Sequence, residues 1–345
     1  MLNNFDENFN NLVMSEEEIK SHKKTFSKLC FSFLAYLLIA ELVSLGLAYL
    51  LTNTAPELLK NYNFSLILSS IVQYGIAFPI FATLLIKIPN RMPLQKKSLG
   101  FRKFMKYTLV ACFAMYVGNM ISTFLLTGVE TLLGRAPENA VDNLLTNTNW
   151  VLAFFIVGII GPIFEELMFR KLAVSKLAPY GDAVAIFFPS LIFGLFHANL
   201  YQFFYAFLIG AALSYIYLRS GKIIYTIILH VFINVFFGVL PGALLSNFNY
   251  DQYMEIYTSG NIEAIMEYTM ANLGVLTYFA FYSSISSGLM IGGAVIFGIN
   301  ARKIVLNKGA IRFPKGTSAD VIFYNVGTII LIAVLVLLTA INTLS

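Results

Sequence analysis

The sequence predicts an all-α protein, a polytopic transmembrane helical bundle of about eight or nine spans, and three observations carry that prediction. Of the 345 residues, 58% are apolar and 12% charged, against roughly 45–50% and ~25% in soluble domains. The apolar residues collect in runs near the ~20 residues that a helix needs to cross a bilayer core of roughly 30 Å. The basic residues fall almost wholly between alternate runs, as the positive-inside rule requires. A soluble enzyme, a disordered chain and a disulfide scaffold all fit poorly.

The candidate spans are 29–51, 65–87, 104–127, 149–169, 183–199, 201–218, 223–244, 274–299 and 322–343. Two of them, 183–199 and 201–218, are short and nearly contiguous. With the N-terminus in the cytoplasm, 21 of the 23 Lys and Arg residues fall in cytoplasmic segments, and Lys60 and Arg135 fall outside. That asymmetry accounts for the net charge of +5 without nucleic acid as a partner. Residues 1–28 read as a cytoplasmic polar tail, mobile or helical on the surface, and 29–345 as one transmembrane domain. Met1 to Asn11 hold no Lys or Arg and no apolar core, so no secretory leader is read there. The first span then acts as the targeting signal. Usage rich in Asn, Lys, Ile and Phe points to a bacterial plasma membrane.

The outer stretches 128–148 and 245–273 carry Glu130, Glu138, Asp142, Asp251, Glu255, Glu263 and Glu267. Both read as solvated loops, with a short amphipathic helix as the alternative for the second. Trp150 suits an interfacial anchor. Cys30 and Cys112 sit in apolar runs and read as small packed hydrophobes, not a disulfide or metal pair.

The ionisable side chains inside the runs are Glu41, Glu165, Glu166, Arg170 at a boundary, His197 and His230. Such groups are costly at membrane depth and mark function by default. Glu41 stands alone and is given no role. In Gly161-Pro162-Ile163-Phe164-Glu165-Glu166-Leu167-Met168-Phe169-Arg170, the two carboxylates point about 100° apart around a helix. Glu166 and Arg170, four residues apart, share a face and can pair. Glu165 is left for chemistry, and a carboxylate in apolar surroundings makes a better base near neutral pH than one in water. The Gly-Pro step can break or kink the helix. Phe193 and His197 lie one turn apart, and so do His230 and Asn234.

Convergence on one wet cavity would explain all of these residues. A carboxylate and an imidazole can activate water, and His and Asn can donate hydrogen bonds to an oxyanion. Alternatively, Glu165, His197 and His230 could hold zinc with one position open for water, although the His-Glu-x-x-His signature is absent.

These residues make the chain resemble the CPBP family of CAAX proteases and bacteriocin-processing enzymes, also called Abi proteins. Its three motifs stand here complete and in order: Glu165-Glu166 with Arg170, Phe193 with His197, and His230 with Asn234. The resemblance covers a core of about 145–245. It implies an intramembrane endopeptidase acting on a membrane-associated protein or peptide. Glu165 and His197 would activate water, His230 and Asn234 would stabilise the oxyanion, and Glu166, Arg170 and Phe193 would support them. No cofactor is favoured; a divalent metal such as zinc is the alternative. The implied partners are membrane lipid and a peptide or membrane-protein substrate, bacteriocin-type peptides and membrane-protein segments ahead of prenylated tails. A non-catalytic membrane scaffold regulating a partner enzyme or sensor is the competing reading. A transporter is disfavoured because no inverted repeat is visible.

The drawn boundaries contain a conflict. They set Glu165 near the cytoplasmic end of 149–169 and His197 near the outer end of 183–199, ~15–20 Å apart in depth. The expectation is that the boundaries shift, with the fourth helix running on to about residue 178 or the 183–199 segment broken, so that the three motifs meet at one depth.

Overall fold

The computed structural model describes residues 14–90, 93–137, 139–245 and 248–344. Residues 1–13 of the expected tail, Arg91 and Glu138 lie outside the described residues, as do the side chains of Asp142 and Asp251. Among the described residues there are 8 helices long and apolar enough to cross a membrane. They are α1 (Glu16–Thr54), α2 (Tyr62–Ile86), α3 (Phe101–Leu133), α4 (Trp150–Tyr180), α6 (Leu200–Ser220), α7 (Ile223–Leu245), α10 (Leu273–Lys303) and α11 (Val326–Leu344). A shorter apolar helix, α5 (Asp182–Phe196), joins α4 to α6. Two short helices, α8 (Tyr250–Thr258) and α9 (Ile262–Ala271), fill much of the second outer stretch. The protein is a multi-pass helical bundle, and the described residues contain no strand beyond one isolated bridge between Gly181 and Lys308.

Alternate connections gather at one basic end. There Lys23 meets Asp320 at 2.8 Å, Arg219 meets Asp182 at 2.5 Å, and Lys176 donates to the Ile88 carbonyl at 2.5 Å. Arg135 lies at the opposite end, donating to the Leu344 carbonyl at 2.8 Å.

The first helix starts inside the stretch expected as a tail. Ser15 and Glu18 cap it reciprocally, and Glu16, Glu17 and Glu18 face the positive end of its dipole. His22 is buried, 3.0 Å from the Tyr180 hydroxyl, and Phe26 packs on Tyr180 and Phe188. These polar first turns therefore dock on the turn between α4 and α5. Glu41 lies on an exposed face of α1. Cys30 and Cys112 are free and buried.

The fourth helix is longer than the apolar run 149–169. The helix continues through Arg170, Lys171 and Lys176 to Tyr180. The Gly161-Pro162 step is absorbed rather than broken, by a π-helical stretch Phe154–Ile160, an α-helical turn Gly161–Glu165 and a second π-helical stretch Glu166–Val174. Gly181 then turns the chain with φ at +97°, where a Cβ would run into the backbone of Gly309. This turn resolves the depth conflict. Glu165 precedes Tyr180 by 15 residues, and His197 follows Asp182 by 15. Each is therefore about 22 Å from the same turn at 1.5 Å per residue.

The core is aromatic. Phe33 of α1 contacts Phe81 of α2 (ring centroids 4.8 Å) and Phe169 of α4 (5.0 Å), and Phe169 contacts Phe193 of α5 (4.9 Å). Helix α6 lies between α3 and α5, and Gly118 lets α3 approach the α6 backbone at Tyr205, where a Cβ would clash.

Candidate active site

Glu165 ends the α-helical turn that follows Pro162, and the π-helical stretch after it carries Glu166 and Arg170. Glu166 is 0% exposed and Arg170 1%, with 3.0 Å between Oε1 and Nη1. A carboxylate this deeply buried requires a partner charge. Arg170 supplies it, stands over the Phe193 ring at 4.5 Å and reaches the Gly210 carbonyl of α6 at 3.4 Å.

His230 of α7 sits between the two carboxylates. Its Nδ1 is 2.8 Å from Glu166 Oε1 and its Nε2 is 3.5 Å from Glu165 Oε2. The Arg170-paired carboxylate of Glu166 is an acceptor, so Nδ1 carries the proton and donates to it. The neutral ring then turns its Nε2 lone pair toward Glu165. Glu165 and His230 thus face each other across 3.5 Å, beside the buried Glu166–Arg170 pair.

His197, just past the end of α5, donates from Nδ1 to the Phe193 carbonyl at 2.8 Å. A carbonyl only accepts, so neutral His197 presents a free lone pair at Nε2. Phe193 packs edge-on against both imidazoles, at 5.0 Å from His197 and 5.8 Å from His230. Glu165 and His197 line one cavity of about 190 Å³ with Phe193, Phe169, Tyr36, Gln73 and Tyr74.

The three motifs therefore do meet, and Glu165, Glu166, Arg170, Phe193, His197 and His230 form one connected cluster. Asn234 is engaged elsewhere: its Nδ2 donates to the Val157 carbonyl of α4 at 3.0 Å. In the π register there, Gly161 N–H reaches Ile156, five residues back. The next residue, Pro162, has no N–H to give Val157, and Asn234 satisfies the carbonyl it leaves free.

Glu165, His197 and His230 were the expected zinc set. Among the described residues no three His, Cys, Asp or Glu side chains are grouped to hold a metal ion. Both imidazoles donate from Nδ1 to protein acceptors, which leaves each Nε2 open.

Tyr36, Gln73 and Tyr74 come from spans that no motif touches. The signal in the sequence was slight: Gln73 is the sole amide in the run 65–87. Tyr74 stacks on Phe164 with ring centroids 4.6 Å apart, and the Tyr36 hydroxyl is 3.5 Å from Gln73 Oε1.

Residues 147–236 match the family model described as type II CAAX prenyl endopeptidase Rce1-like. The matched segment contains all three motifs, so the resemblance they carry is shown. Over 120 residues, 34% of this chain, the sequence is 28% identical to "Putative membrane peptidase YdiL" of Bacillus subtilis (strain 168). The match spans 48% of that relative, about half its length. No solved structure matches the chain. The family match and this relative support a membrane protease in general terms.

Proposed function

We propose that the chain is an intramembrane endopeptidase that hydrolyses a peptide bond of a membrane-associated protein or peptide with water activated by Glu165. The observation that carries this reading is His230 held between two carboxylates, one locked by Arg170 and the other facing the cavity that His197 shares.

A water in that cavity lies between Glu165 and the Nε2 lone pair of His197. His197 orients it, and Glu165 takes its proton as the oxygen attacks the scissile carbonyl carbon. The carbonyl π bond opens to an oxyanion, stabilised by donation from protonated Nε2 of His230. Collapse breaks the C–N bond, and the leaving amine takes a proton from the Glu165–His230 pair. Glu166 and Arg170 fix the tautomer and position of His230. Asn234 is a positioning residue in this scheme, holding α4 against α7, and it replaces the oxyanion role that the resemblance implied for it.

The test compares membranes containing the native chain with membranes containing Glu165→Gln, by proteomics of new peptide termini. Termini that vanish with Glu165→Gln at equal expression support the reading, and an unchanged set of termini overturns it. Metal analysis of the purified chain accompanies the comparison. Stoichiometric zinc lost with Glu165→Gln would replace the side-chain mechanism with a metal one.

A further inference from the structure

A second cavity, of about 770 Å³, lies between α3, α5, α6 and α10. That volume is within the roughly 300–1,000 Å³ range of small-molecule sites. Val110, Ala114, Ile186, Phe187, Ala211 and Ile296 make its walls apolar. Lys103, Lys106 and Lys303 stand in its lining at the basic end of the bundle, and the lining contains no carboxylate. All three lysines are exposed. None forms an ion pair among the described residues, and Lys103 lies 5.7 Å from the centre of the Tyr107 ring. Arg219, nearby on α6, is already committed to Asp182 and to the Val305 carbonyl. From Lys103 to Ala114 the wall runs 11 residues down α3, about 16 Å.

The cavity therefore joins a greasy slot to a ring of unpaired cations, where the helix ends meet the membrane surface. Its shape and charge suit an amphiphile with an anionic head and an apolar chain lying along α3. We infer that this cavity binds an anionic phospholipid of the surrounding bilayer, its phosphate on Lys103, Lys106 and Lys303 and one acyl chain between α3, α5, α6 and α10. Charge complementarity selects the occupant: basic pockets between transmembrane helices bind anionic lipid heads, and a zwitterionic lipid gains nothing net from three lysines. The site is separate from the cavity at Glu165, and its occupancy does not depend on the proposed hydrolysis.

The test is native mass spectrometry of the full chain in neutral detergent, titrated with phosphatidylglycerol and with phosphatidylcholine of the same acyl chains. The native chain is expected to retain phosphatidylglycerol preferentially. The variant Lys103→Gln/Lys106→Gln/Lys303→Gln should lower its affinity about tenfold or more. A control, Lys24→Gln/Lys96→Gln/Lys315→Gln, removes three exposed lysines outside the cavity lining and should keep the preference. Equal retention of both lipids by the native chain overturns the assignment. So does an equal loss in the control, or a preference that survives in the cavity variant, provided each variant elutes as a single species.

Discussion

Helices α4 and α10 are built from the same kind of apolar sequence and do opposite things with it. In the most apolar window of α4, 39% of residues are buried inside the protein; in that of α10, 11% are. Tyr278, Phe281 and Ile299 of α10 are each about two-thirds exposed (67%, 68% and 65%), on a surface left for lipid. Glu166 and Arg170 of α4 are sealed from solvent. Lipid tails are as apolar as Leu, so a lipid-facing side chain can be exchanged at little cost. A side chain in the α4 network has one set of partners. Hydropathy marks both helices as spans, and the position of the costly groups shows which of the two builds the site.

The sharpest contrast is expected at the buried ion pair. Glu166→Gln takes from buried Arg170 the carboxylate that pairs with it at 3.0 Å, at a cost of about 3–5 kcal/mol. Thermal unfolding in detergent should fall steeply, and the double change Glu166→Gln/Arg170→Met should recover part of the loss. If Glu166→Gln unfolds like the native chain, the pair does not hold the site together. Asn234→Leu should cost less, on the order of 1–3 kcal/mol, because it strands the Val157 carbonyl. Asn234→Asp, an acceptor facing an acceptor, should do no better, and recovery by Asp would mean the amide nitrogen is not what matters. At the weak end, Phe281→Leu and Ile299→Leu in α10 should stay within about 0.5 kcal/mol. A larger loss would show that α10 faces protein, not lipid.

Much of this was legible in the sequence, for definite reasons. Run length and alternating charge located the spans, because a bilayer requires both. The cluster at Glu165, Glu166, Arg170, His197 and His230 was legible because ionisable groups at membrane depth stand out. The start of α1 was not, and the end of α4 was legible only from the depth conflict between Glu165 and His197, not from hydropathy. His22 and Arg170 are polar residues buried by specific partners, and hydropathy treats them as exits from the membrane. Tyr36 and Gln73 escaped because neutral polar groups carry no such signal, and α2 reaches the cavity only through tertiary packing. The commitment of Asn234 to Val157 was hidden too, since it depends on the π-helical register upstream of Pro162.

That contact has a mechanical consequence. A proline inside a membrane helix ordinarily leaves a flexible joint, because the hydrogen bond that would stiffen it is missing. Here the vacant carbonyl is bolted by Asn234 to the helix that carries His230, and His230 meets Glu165 and Glu166 beyond the proline, so α7 grips α4 on both sides of the joint. A bend there would have to break the Asn234 bond before the proline or the His230 contacts with Glu165 and Glu166 beyond it.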